Sequence, residues 1–315
     1  MKTSLVAGAA GFLGSNLCKA LLEIGHRVIG LDNFSTSSPR NLSALIAEPN
    51  FDFYEQSILE TDYQKNISNL DFVFHFASPA SPPKYQAQGL ETIKANTVGT
   101  ENLIQLALRH SAKFVFSSTS EVYGDPLVSP QNESYWGNVN PIGPRSVYDE
   151  SKRLGETLVS HFVNHQGLKG SIVRIFNTYG PGMDPFDGRV VSTFIRQALD
   201  GEPFSVFGPG TQTRSFCFVD DLILGIVKCA NSDQFGPINL GNPQELNLIG
   251  LGEIIAKTLG VQPVFEHFPL PQDDPIQRRP DISRAKNLLD WAPTVTLEEG
   301  IRRTALWMRE LKGIG

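Results

Sequence analysis

Short apolar, β-rich runs recur through the first half of the chain, at residues 4–7, 27–31, 51–54, 71–76, 113–117 and 171–176. Between several of them the apolar spacing widens from two to three or four. Residues 14–24 form one such helical pattern and residues 91–109 another, with Ile93, Leu103, Ile104, Ala107 and Leu108 on one face. Strand and helix alternating from the N-terminus predict an α/β fold with a parallel, doubly wound sheet. After Asn177 the texture changes to Pro/Gly-rich loops at 179–185, 207–210 and 239–243, with helical patterns at 190–199, 221–230, 251–259 and 297–311. This half reads as a smaller α/β lobe. The expected division is a first domain over 1–177, rejoined by segments around 215–245, and a second lobe made mostly of 178–315. Proline-rich 268–279, unusual in its Asp, Gln and Arg content, reads as an ordered loop reaching towards a ligand.

Composition narrows the partners. A length of 315 residues can bury a large core, and a net charge of -6 argues against a nucleic-acid surface, which needs a basic face to meet many phosphates. Local arginines still suit an anionic small molecule. Cys18, Cys217 and Cys229 are odd in number, far apart and without metal-ligand spacing, so neither a disulfide framework nor a metal site is expected. A reducing, cytoplasmic setting fits them. From Met1 the chain runs straight into a strand and a glycine loop with no signal-peptide core, and no apolar run approaches the length of a membrane span. His75 in an apolar strand and Cys18 in the first helix pattern read as core, as does Phe207.

Candidate chemistry begins at Gly8, Gly11 and Gly14. Strand, glycine turn and helix in that order put backbone N–H groups and a helix N-terminus around a pyrophosphate, and side chains would block the approach. The layout is Rossmann-like, although Gly-x-x-Gly-x-x-Gly has one more residue before its second glycine than the usual fingerprint. Asp32, followed by Asn33, ends the second strand where a carboxylate would accept hydrogen bonds from an adenosine ribose diol and disfavour a 2'-phosphate. NAD is therefore expected rather than NADP.

Tyr148 and Lys152 lie four apart on a segment that reads as a helix, so both point the same way. Lowering a phenol pKa from ~10 to ~7 costs about 4 kcal/mol, and a positive charge at ~4 Å supplies about that much at an effective dielectric near ~20. The lysine is thus expected to activate the tyrosine. Ser117, Ser118 and Thr119 end the preceding strand.

The glycine loop, the run from Ser117 to Gly124 and Tyr148-x-x-x-Lys152 resemble the extended short-chain dehydrogenase/reductase superfamily of nucleotide-sugar enzymes. Longer stretches, 76–85, 135–145, 187–192 and 272–281, are similar to its UDP-glucuronate-decarboxylating branch, and the likeness spans nearly the whole chain. That resemblance implies recycled NAD: Tyr148 deprotonates the sugar C4 hydroxyl during oxidation, the 4-keto acid loses CO2, and C4 is reduced again. It implies a tightly held cofactor and a homodimer through a helix bundle of 91–109 and 148–162.

The same resemblance places Thr119, Ser120 and Glu121 beside the reacting ring and Arg278 opposite Glu121, with the division of roles between Glu121 and Arg278 open. It places Phe12, Leu13, Ser57, Ile58 and Ala77 at the cofactor, where Gln56-Ser57-Ile58 departs from the usual adenine-side aspartate. Tyr85, Asn177, Arg189, Arg214 and Arg278 would hold the UDP-sugar, arginine suiting phosphate through its planar fork. Two sister activities fit less well. A dehydratase has an aspartic acid where this chain has Ser120, too weak an acid to protonate a leaving hydroxide. A 4-epimerase has small residues where this chain has Glu121. A non-catalytic NAD or nucleotide-sugar binding protein is the reading outside enzymes.

Overall fold

The computed structural model describes residues 1–270 and 277–313. The chain opens with β1 (Thr3–Ala7), α1 (Phe12–Glu23), β2 (Arg27–Asp32), β3 (Phe51–Glu55) and β4 (Phe72–His75). Three helices follow, α2 (Pro82–Ala87), α3 (Gly89–Asn96) and α4 (Val98–Arg109), before β5 (Lys113–Thr119), a short 3-10 turn over Ser120–Tyr123, α5 (Ser146–Gln166) and β6 (Lys169–Ile175). The rest consists of β7 (Thr178–Tyr179), α6 (Val190–Asp200), β8 (Phe204–Phe207), β9 (Thr213–Ser215), β10 (Cys217–Phe218), α7 (Val219–Ala230), β11 (Ile238–Leu240), β12 (Glu245–Asn247), α8 (Leu248–Leu259), β13 (Phe265–Phe268), β14 (Gln277–Arg278), α9 (Ser283–Leu289) and α10 (Leu297–Leu311).

Seven strands make one sheet in the order β11-β6-β5-β4-β1-β2-β3, and every pairing in it is parallel. Its near-continuous apolar strands follow from cover on both faces. Val6, Phe74, Val115 and Val173 point into a core shared with α1, α7 and the second lobe. Their neighbours Leu5, Val73, Phe114 and Ile172 point into the opposite core, with Leu103 and Ile104 of α4 and Val159 of α5. The strand order reverses between β1 and β4, which opens a crevice at the carboxyl ends of the strands, where ligands of such sheets bind.

β11 belongs to this sheet, so residues 238–240 lie against β6 rather than in the second lobe. That lobe carries a three-stranded sheet, β12-β9-β14, and a pair, β13-β8. The pattern over 91–109 is not one helix. Thr97 leaves the helical region at φ -118° and ψ -78° and hydrogen-bonds Ile93 O at 2.7 Å, dividing α3 from α4. Within the expected loop over 268–279, Phe268 ends β13 and Gln277 begins β14, while 271–276 lie outside the described residues. His75 and Cys18 are fully buried, as read. Phe207 is instead 45% exposed, lining the cleft with its ring against Phe268. Among the described residues no helix is long and apolar enough to cross a membrane.

Candidate active site

The crevice is a cavity of about 800 Å³ between the sheet's carboxyl edge and the second lobe. Its floor is the glycine loop. Gly8 has φ +85°, and a Cβ there would stand 2.6 Å from the Phe76 carbonyl; at Gly14 it would stand 1.9 Å from Gly8 O. Gly11 is the N-cap of α1 with no side chain capping the free N–H groups, and Phe12 and Leu13 line the cavity beside them. This is a cradle shaped for a pyrophosphate, and the residues fit a dinucleotide. Asn41 ties the loop to the second lobe, donating to Ala10 O and Gly182 O.

β5 delivers Thr119, and the turn after it delivers Ser120 and Glu121; Thr119 Oγ1 accepts from Glu121 N at 3.2 Å. A buried network braces this turn from behind. Ser118 donates to Glu156, Arg174 grips Glu156 with two nitrogens and also donates to Tyr123 Oη, and Tyr123 donates to Asn239 Oδ1. α5 brings Tyr148 and Lys152 to the same wall, both buried. Tyr85 of α2 stacks on Tyr148, with ring centroids 5.0 Å apart and planes 5° apart. Its hydroxyl is buried and, among the described residues, has no hydrogen-bond partner.

Burial dominates the electrostatics of the Tyr148 and Lys152 pair. Burial pushes Tyr148 up to about 12 against a lowering hydrogen bond from Thr119. Burial likewise pushes Lys152 down to about 7, opposed by Glu156. The lysine donates to Ser117 O at 2.8 Å, and its ammonium stands 5.8 Å from the Tyr148 ring centre. For both groups burial is the largest influence.

Glu121 behaves in the opposite way. Burial disfavours its charge, yet Arg278 and Arg145 overcome that and hold it down at about 2. Arg278 meets both carboxylate oxygens, Nη1 on Oε1 at 3.0 Å and Nη2 on Oε2 at 3.2 Å, and also donates to Ser120 Oγ and Gly124 O. Arg145 Nη2 meets Oε2 from the other side at 2.5 Å. Sequence reasoning assigned no role to Arg145, although it stands three residues before Tyr148 and hence on the same helical face. Asp149 was missed as well. Burial, reinforced by Glu121, raises its carboxyl to about 8, and its Oδ1 is buried without a partner.

Asn177, Arg189 and Arg214 line the far wall with Phe207. Arg214 lies in register with Arg278 across β9 and β14, while Arg189 is ion-paired with buried Asp187. Counting the lining side chains gives seven cationic against three anionic, in a chain whose net charge is -6. The remaining sequence-predicted residues lie behind the cavity lining, Asp32 bonded to Ser37, which lines it. Asp32 accepts from Ala10 N, Phe34 N and Ser37 Oγ, and Asn33 accepts from Ser35 N. Ser57 accepts from Leu59 N, Ile58 packs in the α4-side core, and Ala77 packs against that core.

A family model described as the NAD dependent epimerase/dehydratase family matches residues 4–241. The chain is 46% identical over 312 residues to UDP-glucuronic acid decarboxylase 1 of Danio rerio, covering 99% of this chain and 74% of that protein. It is 48% identical over 298 residues to UDP-glucuronic acid decarboxylase 6 of Arabidopsis thaliana, covering 94% of this chain and 86% of that one. The crystal structure of a UDP-glucuronic acid 4-epimerase from Bacillus cereus with UDP-glucuronic acid and NAD superposes with a TM-score of 0.88, at 29% identity over 98% of this chain and 99% of that chain. A likeness so nearly complete in length, matched by a cleft with the shape for a dinucleotide, identifies this chain as a member of the NAD dependent epimerase/dehydratase family.

Proposed function

We propose that this protein is an NAD-dependent decarboxylase that converts UDP-glucuronate to UDP-xylose. One observation carries the reading: Glu121 sits between Arg145 and Arg278 in the same cavity as Tyr148, Lys152 and the glycine loop, in a chain 46% and 48% identical to curated UDP-glucuronic acid decarboxylases. The cationic lining suits a substrate with a diphosphate and a carboxylate. Residues 1–177, with β11 rejoining them, hold the cofactor, and 178–315 mostly grip the nucleotide sugar through Asn177, Arg189 and Arg214. Gly8, Gly11 and Gly14 cradle the pyrophosphate, with Ser57, Ile58 and Ala77 on the adenine side. Asp32 and Asn33 at the end of β2 favour NAD over NADP.

Bound NAD supplies the hydride acceptor for C4 and later the hydride donor. Tyr148 takes the C4 hydroxyl proton, and Thr119, hydrogen-bonded to it, steadies the phenolate as it forms. Lys152 stands close enough to share that negative charge. The resulting 4-keto acid breaks its C5–C6 bond, CO2 leaves, and the electron pair passes into an enolate spread over C5, C4 and the C4 oxygen. C5 then takes a proton from solvent water, replacing the lost CO2, C4 is reduced, and Tyr148 returns its proton to the C4 oxygen, so there is no net redox change. Ser120 serves as a hydrogen-bonding group here, because its hydroxyl is too weak an acid to expel water as a dehydratase must. Glu121, fixed by two arginines, marks off the site from that of a plain epimerase.

The test is to incubate purified protein with UDP-glucuronate and NAD+ and follow CO2 release and product mass. The expected product is UDP-xylose. Retained mass with an inverted C4 hydroxyl would replace the decarboxylase by an epimerase, and bound NAD without turnover would favour a binding protein.

A further inference from the structure

Glu121 is held on both oxygens, and its two guanidiniums come from different parts of the molecule. Arg278 reaches it from β14 in the second lobe. Arg145 reaches it from the N-cap of α5, and its carbonyl accepts from Tyr148 N at 3.0 Å and Asp149 N at 3.1 Å. The bond from Arg145 to Glu121 therefore joins the turn after β5 to the first turn of the helix that carries Tyr148. Both partners are largely buried, with side chains 15% and 17% exposed, so the pair is shielded from solvent screening.

We propose that Arg145 is a positioning residue that ties Glu121 to the tyrosine helix and, with Arg278, clamps its carboxylate at the sugar-facing end of the cleft. The proposal rests on the decarboxylase reading above. It assigns Glu121 the task of shaping the field rather than carrying a proton, because a carboxylate clamped by two guanidiniums is a poor proton acceptor at working pH. Arg278 alone does not provide this. It clamps Glu121 from β14 on a separate sheet, whereas Arg145 stands at the N-cap of the helix that carries Tyr148.

Among the described residues, the groups facing Glu121 include Arg278 from β14, Arg214 from β9, Tyr85 from α2, and Arg145, Tyr148 and Asp149 at the start of α5. Of these, Arg145 bonds Glu121 from the N-cap of the tyrosine helix, Nη2 to Oε2 at 2.5 Å.

The experiment uses NAD-loaded protein and three variants, Arg145→Met, Arg145→Lys and Glu121→Gln, with the double variant Arg145→Met/Glu121→Gln. Folding and NAD content are checked by thermal melting and by released cofactor. Carbon-13 NMR of the glutamate carboxyl, assigned by loss of its signal in Glu121→Gln, follows the titration of Glu121 without any need for turnover. Removing Arg145 as Met is expected to shift that titration upward towards the ordinary carboxylate range, to lower kcat about 10- to 100-fold, and to create a new acid limb in the kcat profile. Arg145→Lys, which keeps the charge but loses the fork, is expected to restore the low titration and part of kcat. In the double variant the two losses should not multiply, because both remove one unit.

An unmoved Glu121 titration in Arg145→Met, or losses that multiply in the double variant, would overturn the proposal. Should Arg145→Met not fold, Arg145→Lys decides alone: full kcat with full NAD content would show that the fork is not needed. Failure of wild-type protein to release CO2 sinks the decarboxylase reading, and the NMR titration still decides whether Arg145 holds Glu121 as an anion.

Discussion

At the residue scale the cleft is governed by desolvation and by which charges find partners. Tyr148 and Lys152 are both driven towards neutrality, whereas Glu121 is kept ionised by two guanidiniums. Glu121→Gln should therefore leave folding and NAD binding intact while lowering decarboxylation by about 100-fold, since a neutral amide cannot complete the ion triad; CO2 release and cofactor titration measure the two arms. Unchanged turnover would remove Glu121 from the reaction. Asp149 offers a pH test with a definite sign. Burial raises its folded pKa to about 8, above the ordinary aspartate value of 3.8, so the stability it contributes is full below about 4 and is lost as pH rises to about 8. Asp149→Asn should thus gain melting temperature over the wild type progressively across that window. A melting difference that stays flat from pH 4 to 8 would contradict the assignment.

At the element scale the site depends on how closely α5 lies on the sheet. Gly155 makes this approach possible: a Cβ there would meet Phe116 Cζ at 2.3 Å and Asn96 O at 3.0 Å. One helical turn earlier the same helix presents Lys152 to Ser117 O, so lifting α5 would pull the ammonium off that carbonyl. Gly155→Val is expected to cost roughly 1–3 kcal/mol of stability through overpacking, and to lower kcat more than it changes NAD affinity. Denaturant melts and steady-state kinetics read both. The helix itself was legible from Tyr148 and Lys152 at i,i+4, and the strands from their apolar runs. The break at Thr97 was not, because it follows from a departure in backbone angles that the apolar stripe of 91–109 does not report.

At the scale of the whole molecule, the two lobes close over one cleft and an apolar face remains outside. Leu90 and Ile93 of α3, Val98 of α4 and Leu154 of α5 are 58%, 39%, 48% and 49% exposed, on the helices expected to form a dimer bundle. This supports the homodimer as a proposal, since helices with such a face bury it against another element. Leu154→Lys should convert a dimer to a monomer in light-scattering measurements with little change in melting of the single chain. A wild-type protein that elutes as a monomer at every concentration would end that proposal.

The sequence by itself determined the alternation of strands and helices, the glycine cradle and the identity of the pair Tyr148 and Lys152, because local periodicity and spacing carry that information. Resemblance added Glu121 and Arg278. Tertiary structure decided what these groups are in one another's presence: that Lys152 spends its donor on Ser117 O, that Arg145 from α5 and Arg278 from β14 converge on one carboxylate, and that Asp149 is buried behind them. The physical reason is that burial and charge pairing belong to groups far apart in the chain, and no spacing rule records which distant side chain fills the fourth side of a carboxylate.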